Sequence, residues 1–246
     1  MCKITTNTEN KTKINQIKLN PNERIDDLQC GGYKIIQNPD GFCFGIDAAC
    51  LSNFATVKKG ETVLDLCTGT AAIPILLAAK TQAKHITGIE ISAKSVDMAR
   101  RSITLNNLND RIHIDLADIK NAMQLYKPSS FDVITVNPPY IIANGGLHNK
   151  SDDKTIARHE ITCTLHDIIT ISAKLLKTGG RLYMVHRPHR LPEIICQLTA
   201  AKLEPKTLQI AQATLNHNPS LIFIEAIDHA NPMLKIKPVL LLNSDK

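Results

Sequence analysis

Thr62-Val-Leu-Asp-Leu-Cys-Thr-Gly-Thr-Ala-Ala-Ile-Pro74 decides the fold of this 246-residue chain. Thr62–Leu66 has the length and the β-branched, leucine-rich character of a buried strand. A tight turn with a single glycine, Gly69, follows and opens a helix. Outward from this stretch, short β-branched runs alternate with longer helical ones. Ile86–Glu90, Ile112–Asp115, Phe131–Val136 and Arg181–His186 read as further strands, with Thr207–Ala211 and Leu221–Ile227 after them. Between them, Ala93–Asn106 places Val96, Ala99 and Ile103 on one helical face. Ile161–Lys177 has the same period and runs up to a stop signal at Gly179-Gly180. Strand and helix in alternation predict an α/β fold with a mainly parallel sheet covered by helices. No period of 20 to 50 residues recurs, which argues against a repeat architecture.

Three segments are expected. Residues 1–20, with Lys3, Lys11, Lys13 and Lys18 among polar neighbours, read as a disordered basic arm. Residues 21–60 carry Gly31-Gly32, the turn signal Asn38-Pro-Asp-Gly41 and an apolar stretch from Asp47 to Phe54, and so predict a hairpin and a helix leading into the core. Residues 61–242 form the α/β domain. A net charge of +6 favours a polyanionic partner without specifying one. No apolar run approaches the roughly 18 residues that a membrane-spanning helix needs, and the first twenty residues contain no signal-like apolar stretch, so the expected location is cytoplasmic. The seven cysteines include no Cys-x-x-Cys pair and the nine histidines no metal-ligand spacing. Reduced thiols and metal-free chemistry are therefore expected. Oligomeric state is not readable from the sequence.

In an open α/β sheet, ligands bind at the carboxyl ends of the strands. The turn after Asp65 has one glycine where a pyrophosphate cradle uses three, so it fits a nucleoside cofactor without a pyrophosphate, such as S-adenosylmethionine. Glu90 ends the next strand, twenty-one residues beyond Gly69, near the spacing at which an acid meets ribose hydroxyls. Asp118, past the third strand, is placed to accept from an adenine amine, and Ile91 to pack on the ring. Asp65 is placed to hold the turn and the cofactor's amino group, and Cys67, in the turn itself, is a further candidate cofactor contact. Each acid alone can equally be the N-cap of the following helix. Asp65, Glu90, Asp118 and then Asn137 at four successive strand ends make a row of acceptors along one edge.

The fourth strand ends in Asn137-Pro-Pro-Tyr140. An exocyclic amine on an aromatic ring is a poor nucleophile because its lone pair is delocalised. Asn137 Oδ1 and the Pro138 carbonyl are acceptors that can draw density onto that nitrogen. Pro138 and Pro139 fix the backbone and offer no competing N–H, and the Tyr140 ring offers a stacking face. The same four residues could be no more than a stiff strand-to-loop turn.

Together these residues resemble a class I S-adenosylmethionine-dependent methyltransferase. Gly41-Phe-Cys-Phe-Gly-Ile-Asp47, Ala157-Arg-His-Glu-Ile161 and Val185-His-Arg-Pro-His-Arg-Leu191 narrow the resemblance to the bacterial tRNA(Val) adenine-37 N6-methyltransferase family, over roughly Asn22 to Leu240. The resemblance implies a Rossmann-like, seven-stranded sheet with the last strand antiparallel and methyl transfer to N6 of an adenine beside a tRNA anticodon. It implies that Asp47, Asp65, Gly69, Glu90, Ile91 and Asp118 hold the cofactor, with Asp47 near its methionine portion, and that Asn137 to Tyr140 hold the adenine. Arg158 and His159 fall where a mobile lid or an RNA contact would be useful, or at a helix start with surface charge, and His186, Arg187, His189 and Arg190 form a basic cluster suited to phosphate or an ordinary solvated turn. Ala71 departs from the family pattern, standing where a glycine is usual, as does Asn216–Ser220 before the last strand. Other substrates stay open at this point: a release-factor glutamine amide, a guanine N2 of rRNA, an adenine N6 of DNA. A non-catalytic RNA-binding scaffold of the same fold is the reading from another class.

Overall fold

The structure is a computed structural model and describes residues 17–41, 43–138, 140 and 163–243. It opens with a two-stranded antiparallel hairpin, β1 (Arg24–Asp27) and β2 (Lys34–Gln37), followed by helix α1 (Ile46–Phe54). The reversal is made by Gly31 and Gly32, both at positive φ, and is closed by Leu28 N–H donating to the Tyr33 carbonyl at 2.9 Å. Asn38-Pro-Asp-Gly41 does form a turn, but it joins β2 to α1 rather than closing the hairpin.

The core then alternates as the sequence predicts: β3 (Thr62–Leu66), α2 (Ala72–Lys80), β4 (His85–Glu90), α3 (Ala93–Leu105), β5 (Ile112–Leu116), α4 (Ala122–Leu125), β6 (Phe131–Val136), α5 (Leu165–Leu175), β7 (Leu176–His186), α6 (Leu191–Ala200), β8 (Leu203–Gln212) and β9 (Leu221–Asp228). The strands run β8-β9-β7-β6-β3-β4-β5 across the sheet. β9 lies antiparallel between β7 and β8, and the other neighbours are parallel. These seven strands are the expected sheet. Two strands of two residues each, β10 (Lys235–Ile236) and β11 (Leu240–Leu241), extend it by pairing with β8. The strand order reverses between β3 and β6, which is where such sheets bind ligands.

Alternation along each strand separates two apolar faces. Val63, Ile86, Val133 and Phe223 point toward α1, α2 and α3, while Leu64, Leu66, Ile134 and Ile224 point toward α5 and α6. A buried side chain of this size stabilises by about 1.5–3 kcal/mol. Phe54, at the end of α1, packs against Tyr183 of β7 and Phe223 of β9 with centroids 5.9 and 5.7 Å apart. That anchor holds α1 over the sheet and sets Asp47 above the carboxyl edge.

The hairpin is fastened to α3 by side chains rather than by further strands. Ile36 N–H donates to Ser102 Oγ at 2.9 Å, Asn106 bridges the Lys34 backbone, and Arg101 grips Glu23 through two bonds of 2.7 Å. One predicted helix differs in length. The stretch read as Ile161–Lys177 is helical from Leu165, capped by a reciprocal Thr164 and Asp167 pair, and ends at Leu175. Leu176 is already a strand residue paired with Phe131, and Gly179 takes φ +74 within that strand, so the two glycines mark an irregularity in β7 instead of the helix stop.

Candidate active site

The carboxyl edge of β3, β4, β5 and β6 borders a cavity of about 1580 Å³, reaching from the hairpin to the start of the loop after β6. Small-ligand pockets usually measure ~300–1,000 Å³, so this one has room for two partners. Its floor is built by the turn after β3. Cys67, Gly69 and Ala71 all adopt left-handed backbone, with φ of +55, +57 and +68. A side chain at such a φ costs ~1–2 kcal/mol. The turn therefore carries strain at Cys67 and Ala71, and Ala71 occupies without glycine the position that glycine would fill freely.

Asp65 explains what holds that turn. In register it lies opposite Thr135 of β6 and Gly88 of β4. Thr135 Oγ1 donates to one carboxylate oxygen at 2.5 Å and Thr68 Oγ1, from the turn, to the other at 2.6 Å. Gly88 makes this possible: a Cβ there would lie 2.8 Å from the Thr68 methyl carbon and 2.7 Å from Ile114. Asp65 is fully buried, and burial pushes its carboxyl up to about 7 against the pull of the two hydroxyls. It lies beneath the floor and not in the cavity wall. Of the two contacts expected of Asp65, the structure shows its bonds to the turn and to β6, and, sealed from the cavity, it has no opening toward a cofactor's amino group.

Glu90 stands in the wall. Its two oxygens accept from Gly69 N–H at 2.9 Å and Ser92 N–H at 2.8 Å, which ties β4 to the turn. Burial raises its pKa, opposed by those N–H groups and by that of Ile91. Ile91, exposed at 41%, extends an apolar surface into the cavity. Asp118 also lines it, and one of its oxygens accepts from Lys120 N–H as the N-cap of a short helix, so the capping and wall roles coincide.

At the other side of the cavity are Asn137, Pro138 and Tyr140. The Tyr140 hydroxyl donates to Asp47 Oδ2 at 2.9 Å and lies within hydrogen-bond reach of Asn137 Oδ1. The Arg187 guanidinium sits 4.8 Å from the centre of the Tyr140 ring, and the His186 ring is 5.3 Å away. Arg187 also donates to the Ser220 carbonyl. The site thus joins a lobe bounded by Gly69, Glu90, Ile91 and Asp118 to a lobe bounded by Asn137, Pro138 and Tyr140.

Residues 57–235 match the family model described as a methyltransferase domain. The chain belongs to that methyltransferase-domain family. Among curated relatives, the tRNA1(Val) (adenine(37)-N6)-methyltransferase of Porphyromonas gingivalis strain ATCC 33277 is 30% identical over 164 residues, which are 66% of this chain and 64% of that protein. The protein of the same name from Proteus mirabilis is 30% identical over 159 residues, 64% of this chain and 62% of that one. The match spans a little under two thirds of the relatives' length. Among solved structures, a predicted O-methyltransferase from Agrobacterium tumefaciens aligns with TM-score 0.64 at 20% identity, covering 80% of this chain and 87% of that one. A geranyl diphosphate methyltransferase solved with sinefungin aligns at TM-score 0.55 and 12% identity, covering 73% and 76%. At these identities the structures establish the methyltransferase fold alone.

Asp47, Cys67, Gly69, Glu90, Ile91, Asp118, Asn137, Pro138, Tyr140 and Arg187 all face one cavity. Arg190 does not join them. Its side chain is buried, pairs with Glu193 at 2.7 Å one turn ahead, and presents no guanidinium to a phosphate at the cavity. His186 is 1% exposed, and burial lowers its pKa to about 4, so it is neutral and drops out of the basic cluster; its Nδ1 accepts from Arg187 N–H at 2.8 Å. Pro139, Arg158 and His159 lie outside the described residues. Three features escaped the sequence reading: Thr135 and Thr68 as the holders of Asp65, the Asp47 to Tyr140 contact, and the approach of Cys163 Sγ to Cys67 Sγ at 3.8 Å. All depend on residues 70 to 96 positions apart, except Thr68, whose position three after Asp65 was a local signal available in the turn.

Proposed function

We propose that this protein transfers a methyl group from S-adenosylmethionine to N6 of an adenine in RNA, adenine 37 of a tRNA anticodon loop being the favoured target. The observation that carries the reading is the meeting of the two lobes: Asn137 and Tyr140 stand across one cavity from Gly69, Glu90 and Asp118. The match to curated tRNA1(Val) adenine-37 enzymes supports the choice of substrate.

The residues of the first lobe fit the donor. At Gly69 an added Cβ would meet no protein atom within 4 Å, so the backbone there borders open space. The Glu90 carboxylate accepts from the Gly69, Ser92 and Ile91 N–H groups and keeps lone-pair capacity for a ribose hydroxyl. Asp118 has one oxygen free of Lys120 N–H for an adenine amine, and Ile91 offers apolar surface to the ring. When bound, the donor supplies an electrophilic methyl on a positively charged sulfur.

In the second lobe the target amine donates to Asn137 Oδ1 and the Pro138 carbonyl. These acceptors localise its lone pair and stabilise the positive charge that grows on nitrogen. The adenine stacks on Tyr140, taking the face-on position now held by the Arg187 guanidinium, and Arg187 is released toward the phosphates of the loop. Holding amine and methyl in line supplies the rate. No strong base is needed, since the amine proton becomes acidic only after transfer and leaves to water.

The test is to incubate the protein with labelled S-adenosylmethionine and unmodified total tRNA, digest to nucleosides and identify the labelled one by mass. N6-methyladenosine is expected. Label on N2-methylguanosine or in protein glutamine contradicts the reading and names its replacement.

A further inference from the structure

The Tyr140 hydroxyl is shared between two acceptors, and a phenol has a single hydrogen. It reaches Asp47 Oδ2 at 2.9 Å and also Asn137 Oδ1, the oxygen that must engage the target amine under the reading above. Burial, together with Asp47, pushes the Tyr140 pKa far up, so the phenol keeps its proton and the proton has one destination at a time. When it lies on Asn137 Oδ1 it withdraws density from that oxygen and holds the phenol in the amine's path. A carboxylate is the stronger acceptor, since charge-assisted hydrogen bonds are about twice as strong as neutral ones.

We propose that Asp47 is a positioning residue that takes the phenolic hydrogen of Tyr140 and so leaves Asn137 Oδ1 open to the target amine. Asp47 is brought there by the fold. It lies in the first turn of α1, whose far end is anchored on β7 and β9 through Phe54. Helix α1, which precedes the sheet in the chain, thereby contributes Asp47 to the second lobe. This assigns Asp47 to the acceptor side of the reaction, away from the donor's methionine portion.

The proposal rests on the role given to Asn137, and the experiment separates the two. Steady-state kcat, KM for RNA and donor affinity by calorimetry are measured for Asp47→Ala, Asp47→Asn, Tyr140→Phe, the double variant D47A/Y140F, and Asn137→Ala. With alanine at 47 the phenolic hydrogen has only Asn137 Oδ1, and the amine must displace that bond. The expected fall in kcat is about tenfold, the worth of one neutral hydrogen bond, with donor affinity changed less than about threefold. Asparagine at 47 keeps a neutral acceptor, and a smaller fall of about two- to threefold is expected. Tyr140→Phe keeps the ring and lacks the hydrogen, so it is expected to fall by about threefold through loss of the Asp47 anchor. The double variant should recover to the level of Tyr140→Phe alone.

Three results overturn the proposal. One is a double variant no better than Asp47→Ala. The second is an Asp47→Ala defect that appears as lost donor affinity, which would return Asp47 to the donor. The third is an inactive Tyr140→Phe, which would make the hydroxyl itself necessary. Wild-type turnover in Asn137→Ala would instead remove the underlying reading, and the Asp47 proposal with it.

Discussion

Replacing Asp65 with asparagine removes a buried titration and leaves a side chain of nearly the same shape. In the folded protein the Asp65 carboxyl stands at about 7, against an ordinary value of 3.8, because burial outweighs the hydroxyls of Thr135 and Thr68. A raised folded pKa means the native state binds the proton more tightly than the unfolded chain. The stability it contributes is complete below pH 3.8 and is lost as pH rises through about 7. At 1.36 kcal/mol per unit the full loss is roughly 4 kcal/mol, of which about 2.5 kcal/mol falls between pH 5 and pH 8. Asparagine does not titrate. The variant should therefore gain on the wild type by about 2.5 kcal/mol over that interval, or ~5–10 °C in Tm for a chain of this size. Thermal or urea unfolding of both proteins at pH 5, 6, 7 and 8 reads this directly, and the difference between them cancels groups that titrate in both. Parallel curves across the interval would mean that Asp65 is ionised in the fold without penalty.

Three further outcomes follow from the geometry. Glu90→Ala removes the acceptor of Gly69 N–H and the carboxylate proposed to meet the ribose, and should weaken S-adenosylhomocysteine binding by at least ~30-fold, about 2 kcal/mol, in calorimetry; a change below threefold would take Glu90 out of the donor lobe. Gly69→Ala meets no protein atom but must hold φ +57, so it should lower stability by ~1–2 kcal/mol; a much larger loss would point to a clash the structure does not contain. Arg187→Ala should weaken RNA binding and reduce the slope of log affinity against log salt by about one, with donor affinity unchanged; an unaltered slope would confine Arg187 to Tyr140.

The strands were legible because each is short, β-branched and bounded by turn residues. Thr62–Leu66 and Phe131–Val136 are observed with the predicted limits. That Glu90, Asp118 and Asn137 share one edge was legible too, since a parallel sheet brings the carboxyl termini of its strands together; Asp65, the fourth of the row, does not reach it. The role of each group was less so. Asp65 and Glu90 look alike in sequence, yet one lies within β3 opposite Thr135 and is sealed, while the other ends β4 and faces the cavity. His186-Arg-Pro-His-Arg190 reads as a basic cluster, but strand burial neutralises His186, and Glu193, one turn along, engages Arg190. Two-residue edge strands such as β10 and β11 leave no periodic signal. The Asp47 to Tyr140 contact spans 93 residues and depends on where Phe54 seats α1, which no local pattern encodes.

In the proposed reaction the donor and the target amine occupy the two lobes of one cavity. A crystal structure with S-adenosylhomocysteine bound tests it most directly. The ribose hydroxyls should lie within ~3.2 Å of the Glu90 carboxylate, with the sulfur directed toward Asn137 Oδ1. A ribose bound away from Glu90, or a sulfur turned from Asn137, would contradict it.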